Sequence, residues 1–206
     1  MSTERTPIRR IVTGHDQDSK AIITDEKPVP HKVIGDGATF AVIWSTDSAP
    51  ANCEDPRDGA LPPVFSGKSH NKNGGSVLRI VDVPPLACSP MHRTQSLDYG
   101  IVLQGQVELE LDGGEKRTLG PHDVCVQRGT NHLWRNPSDT EWCRIAFVLV
   151  DSLPIKVKGS DDQILRDENF PDPEGVVTSD GHSNGHSNGH TNGHTNGHTN
   201  GVNGHH

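Results

Sequence analysis

Between Gln106 and Asp112 the chain reads QVELELD, with Val107, Leu109 and Leu111 on one parity and Gln106, Glu108 and Glu110 on the other. A period of two is the mark of an extended strand with one face buried and one wet. Similar short runs crowd the sequence around it, at 99–103, 116–119, 123–128, 132–136 and 142–150. Turn signals separate them: Gln104-Gly105, Asp112-Gly113-Gly114, Gly120-Pro121, Gly129-Thr130 and Asn136-Pro137-Ser138. Two further strands are expected upstream, ATFAVIWS at 38–45 and SVLRIVDV at 76–83, the latter stopped by Pro84-Pro85. Many short strands at regular spacing predict an all-β antiparallel sandwich or barrel, not an α/β fold. The stretch between them, 46–75, has four prolines and is expected to be a long loop. One short helical turn is expected at 161–166.

The apolar supply allows one core. Hydrophobic residues make up 31% of the 206, low for a globular chain. The end of the chain draws almost nothing from that share, because 180–206 is a repeat of Gly, His, Ser or Thr, and Asn. Its regularly spaced histidines, His182, His186, His190, His194 and His198, would share one face of a helix, but the intervening Gly and Asn oppose helix, so a disordered tail is expected. The expected layout is an N-terminal arm at 1–37, a barrel at 38–155, a linker at 156–179 and the tail at 180–206.

Charge and cysteine content narrow the setting. Nineteen basic residues face 27 acidic ones, for a net charge of -8, and no basic run exceeds Arg9-Arg10. Nucleic acid and membrane surfaces are therefore not expected partners. No apolar run is long enough for a transmembrane helix, and the N-terminus lacks the apolar segment of a secretory signal. Four widely spaced cysteines without a Cys-x-x-Cys pair suit reduced thiols in the cytoplasm.

Two histidines and an aspartate form the informative constellation. In His92-Arg-Thr94-Gln-Ser-Leu-Asp98, residues 92, 94 and 98 share parity and would face one way on an extended segment. Farther on, Gly129-Thr-Asn-His132-Leu-Trp134-Arg-Asn136 gives 132, 134 and 136 a common parity. Paired in one barrel, the two imidazoles and the carboxylate would converge. Such a facial set with open positions suits Fe(II) and similar divalent ions. The same residues equally suit a metal-free mouth in which His92 and His132 act as hydrogen-bonding or acid/base groups.

These residues resemble the cupins, whose motifs read G-x5-H-x-H-x3-4-E-x6-G and G-x5-P-x-G-x2-H-x3-N. His92 takes the first histidine position, Asp98 the glutamate and Gly105 the last glycine of the first motif. Gly129, His132 and Asn136 match the end of the second. Thr94 stands in place of the second histidine, Leu86 in place of the first glycine, and Gln127 near the proline. The resemblance covers about 76–151 and implies a jelly-roll barrel, an antiparallel double-stranded β-helix. Small single-domain cupins of fungal secondary-metabolite gene clusters are the similar proteins.

The resemblance implies a metal-dependent enzyme acting on a small, polyketide-like metabolite, in an oxidoreductase step. The metal, Fe(II) foremost with Mn, Zn, Ni or Cu as alternatives, would sit on His92, Asp98 and His132. Thr94, Trp134 and Gln127 would meet the substrate. A non-redox decarboxylase, dehydratase or isomerase and a non-catalytic binding cupin are the other readings. A homodimer is expected, because cupins often pair through N-terminal strands and the apolar residues between Ile8 and Val12 have no evident home. No Gly-x-Gly-x-x-Gly occurs, and no Gly-x-Ser-x-Gly occurs outside the tail repeat, so Rossmann-type cofactors and serine hydrolysis are not expected.

Overall fold

The computed structural model describes residues 6–35, 37–60, 74–160 and 162–165. Among them every regular element is a strand. In chain order these are β1 Arg9–His15, β2 Ala21–Pro28, β3 Lys32–Val33, β4 Thr39–Thr46, β5 Ser76–Val83, β6 Ser96–Gln104, β7 Val107–Leu111, β8 Lys116–Leu119, β9 Val124–Arg128, β10 His132–Arg135 and β11 Cys143–Asp151. The expected strands from 38 onward are all present, shifted at most a few residues. No helix among the described residues is long and apolar enough to cross a membrane. The helical turn expected at 161–166 is not formed at 162–165, where Ile164 instead makes a β-bridge to Lys156. The expected tail, the expected linker from 166 onward and positions 61–73 of the expected loop lie outside the described residues.

Two antiparallel sheets face each other. The larger runs β3-β4-β5-β11-β6-β9 and the smaller β10-β7-β8. Between them lies the core: Val77, Val81 and Val83 of β5, Val102 of β6, Val107 of β7, Trp134 of β10, and Ile145, Phe147 and Leu149 of β11. This is the jelly-roll sandwich that the resemblance implied. The last strand, β11, lies between β5 and β6, pairing Phe147 with Arg79 on one side and with Gly100 on the other.

Two glycines hold the corners on which the motif residues depend. Gly105 has φ +73, and a Cβ there would lie 2.5 Å from the Trp142 carbonyl oxygen. Gly129 has φ +60, and its Cβ would meet Ile155 at 2.5 Å. Both turns need the left-handed backbone that glycine adopts freely, and at Gly105 the neighbouring backbone also leaves no room for a Cβ. Asn136 is a structural member of its motif. Its amide donates to the carbonyls of Val83 and Glu141, and its oxygen accepts from the Ser138 amide.

The N-terminal arm is more ordered than its sequence suggests. β1 and β2 form their own hairpin. Ile8 and Val29 pack on the outer face of the large sheet with Ala41, Ile80 and Ala146, so Ile8 finds its home on its own chain. Arg10, nearly buried, pairs with Asp25 at 2.8 Å and Asp58 at 2.7 Å, tying the hairpin to the loop after β4. Arg144 donates to both oxygens of buried Asp82 at 2.6 and 2.9 Å and to the Thr6 carbonyl at 2.8 Å.

Candidate functional site

His92 and His132 are brought together by backbone. They form an isolated antiparallel bridge, with His92 N–H donating to His132 O at 2.8 Å and His132 N–H donating back at 2.9 Å. The bridge places the rings side by side, centroids 4.2 Å apart and tilted by 53°. The pairing continues along the same segment, since Asn136 N–H donates to Ala87 O and Ser89 N–H to Trp134 O. The segment before β6 is thereby sewn to β10.

The ring tautomers follow from their partners. His92 Nδ1 lies 2.8 Å from Pro90 O, and His132 Nδ1 lies 2.9 Å from Thr130 O. A carbonyl oxygen can only accept, so each Nδ1 carries the proton and each lone pair is on Nε2. Gln127 Nε2 is placed 2.5 Å from the same His132 Nδ1, where two N–H groups would face each other. With Nδ1–H as donor, the amide must present its oxygen to the ring. Gln127 is thus an interior residue that orients His132.

Burial keeps both rings neutral. It pushes His132 down to about 3, helped by His92 beside it and by Arg79, against the Thr130 bond. Burial also lowers His92, with Arg79 adding to the effect and the Pro90 bond opposing it. The unfolded His132, near its ordinary 6.5, takes a proton that the folded ring refuses. Stability is therefore expected to fall as pH drops from about 6.5 toward 3, at up to ~1.4 kcal/mol per pH unit for one proton. Asp98 acts in the opposite sense, because burial raises its carboxyl, with Ser96 and Arg79 opposing. Its contribution is lost as pH rises. Urea midpoints at pH 7, 6 and 5 check this: His132→Gln should flatten the decline, and an unchanged slope would refute the assignment.

Asp98 faces the interior from β6, opposite Gln127 on β9 and Leu149 on β11. It is 5% exposed, and its Oδ1 has no hydrogen-bond partner. The other end of the carboxylate is held by Ser96, whose hydroxyl lies 2.9 Å from Thr94 Oγ1. Thr94 therefore belongs to a hydroxyl chain leading to Asp98. Trp134 packs into the core, 5.6 Å from Phe147 between ring centroids, and turns an edge contact toward His132 at 6.0 Å. Of the residues beside these positions, Tyr99 is exposed and Arg93 is buried, 3.7 Å from Asp112.

Sequence reasoning missed Arg79. Its side chain shares parity with Val77, Val81 and Val83 and lies wholly inside. The guanidinium sits over Phe40 and Phe147, 4.8 and 5.6 Å from their centroids. Burial pulls it down to about 10, with Asp98 opposing, so it stays charged at neutral pH. A charged residue at the core-facing position of SVLRIVDV was the available signal.

The fit to a metal is incomplete. Both imidazoles have the arrangement of metal ligands, Nδ1–H on a carbonyl and Nε2 as the donor atom. Yet among the described residues no three His, Cys, Asp or Glu side chains form a group able to hold a metal ion. The structure joins His92 to His132 and leaves Asp98 outside a three-donor set. A resident cation, Arg79, acts electrostatically on all three expected ligands. As they stand, the three side chains form no three-donor group.

A family model described as "Cupin domain" matches residues 79–149. Phomopsin biosynthesis cluster protein C' of Diaporthe leptostromiformis is 43% identical over 159 residues, covering 75% of this chain and 84% of that protein. Oryzines biosynthesis cluster protein J of Aspergillus oryzae is 36% identical over 164 residues, covering 75% and 88%. The cupin-domain-containing oxidoreductase virC of Hypocrea virens is 37% identical over 156 residues, covering 74% and 80%.

Proposed function

Because the chain belongs to the cupin family, we propose that it is an enzyme of fungal secondary metabolism, of the oxidoreductase class, acting on a small organic metabolite held inside its barrel. The observation that carries this reading is the bridged pair of neutral imidazoles, His92 and His132, buried together with Asp98, Gln127 and Arg79 beside an apolar core. Buried polar groups are costly to keep, and a network of them with locked tautomers is what a site for a small ligand requires. The similarity to virC, named an oxidoreductase, supports the reaction class. A cytoplasmic setting is part of the reading, supported by four cysteines that form no disulfide. So is a homodimer, supported by the exposed Tyr99, Leu103, Val124 and Val126 on β6 and β9.

Cupins commonly bind a metal ion. A second reading accordingly puts a divalent ion, Fe(II) foremost, on His92, Asp98 and His132. The two carbonyl-bound Nδ1–H groups favour it. The absent three-donor group and the Arg79 charge weigh against it.

The test is metabolic. Deleting the gene in its host should build up a precursor that the purified full chain then converts, with a mass change of two hydrogens or one oxygen. His92→Ala and His132→Ala should each lower that conversion by about 10²-fold or more. A metabolite profile unchanged by the deletion would end the proposal. Conversion by the wild type that requires an added divalent ion would select the second reading.

A further inference from the structure

The interior groups described above are mostly acceptors. His92 and His132 carry their lone pairs on Nε2. Asp98 is a buried carboxylate whose Oδ1 accepts nothing. An orphaned carboxylate oxygen in a protein interior is expensive, and a partner for it has to come from elsewhere. That partner is a hydrogen-bond donor or a cation.

Arg79 decides between them. Its guanidinium already supplies a full positive charge inside the same sheet, fixed over Phe40 and Phe147. A second cation, an ammonium or a metal ion, would meet that charge at low dielectric. A carboxylate ligand would meet Asp98 and two acceptor rings. A neutral hydroxyl meets neither penalty. The hydroxyl that gains most is an acidic one, because as it donates to Asp98 its oxygen becomes more negative and Arg79 stabilises that charge. An aliphatic alcohol gains less from the same cation.

Resting on the reading of this barrel as a small-molecule site, we propose that its ligand is a neutral phenol or enol whose O–H donates to Asp98 Oδ1, with Arg79 as the cation that selects an acidic hydroxyl. Gly100 helps make the arrangement possible. A Cβ there would lie 2.9 Å from the Phe147 ring, so the bare backbone leaves Phe147 where it carries the guanidinium. Ser96, itself held by Thr94, fixes the carboxylate from its other side, and Oδ1 is left without a partner.

The test uses three matched probes on the full chain: 4-nitrophenol, benzoate and benzylammonium, titrated by calorimetry and by absorbance. The nitrophenol is expected to bind and its absorbance to move toward that of nitrophenolate. The other two are expected not to compete. Asp98→Asn, nearly isosteric, should weaken nitrophenol binding roughly ten- to a hundredfold, the range for a hydrogen bond to a charged group. Arg79→Met should abolish the absorbance shift. Circular dichroism confirms that both variants fold. Benzoate binding more tightly than nitrophenol, or Asp98→Asn raising affinity, would overturn the proposal. So would a stoichiometric divalent metal in the wild type that Asp98→Asn lacks, since Oδ1 would then have a metal for its partner. A failure of all three probes to bind while the deletion phenotype holds would refute the phenol class and leave the proposed function standing. Nitrophenol binding without any deletion phenotype would do the reverse.

Discussion

Replacing Phe147 by alanine is expected to lower folding stability by about 3–5 kcal/mol. The ring lies in the middle of β11, 5% exposed, packed against Trp134 and beneath the Arg79 guanidinium. Its removal leaves a void that the neighbours cannot refill, because the residue directly across the pair is Gly100. It also strips an aromatic face from a buried cation. Urea unfolding measures the loss. A double-mutant comparison isolates the cause: Gly100→Ala should be destabilising in the wild type, where its Cβ meets the ring, and mild once Phe147 is alanine. Equal costs in both backgrounds would mean that Phe147 is not the contact that keeps residue 100 bare.

Arg144→Met is expected to cost a similar amount, about 3–5 kcal/mol, for an electrostatic reason. Asp82 is 2% exposed and Arg144 meets it with two donors. Losing the arginine strips a buried carboxylate of two charged donors, with the His31 ring 3.7 Å away. The same change frees the Thr6 carbonyl, so hydrogen exchange should quicken in β1 and β2 before it does in β5. Arg144→Met combined with Asp82→Leu should recover most of the loss, since an apolar pair of similar size replaces a broken ionic one. Stability that stays low in the double variant would place the cost elsewhere.

Much of this architecture is legible in the sequence because its strands announce themselves. QVELELD and SVLRIVDV alternate or run apolar between strong turn signals, and both became strands where expected. The hairpin of β1 and β2 was not legible. Its residues are mostly exposed, with Ile22 and Ile23 both pointing to solvent, so no buried face imposes a period. The bridging of His92 to His132 was anticipated from parity and motif spacing. Parity could not place Asp98 relative to them, because the chain from 92 to 98 is not one continuous strand and β6 begins only at Ser96. Arg79 was readable in principle. A cation among three core-facing valines contradicts the local pattern, and such contradictions tend to mark functional positions.

The position of β11 bears on how this chain reaches its fold during synthesis. β5 and β6 are made early, yet neither can complete its pairing in the large sheet until the strand that separates them, Cys143–Asp151, has been translated. Until then the nascent chain carries two unsatisfied strand edges and an uncovered apolar face, including the valines of β5. Such long-range closure slows folding and leaves the intermediate open to pairing with other chains. A ribosome stalled before residue 143 would therefore hold a segment that contains His92, Asp98 and His132 but has no barrel to bring them together.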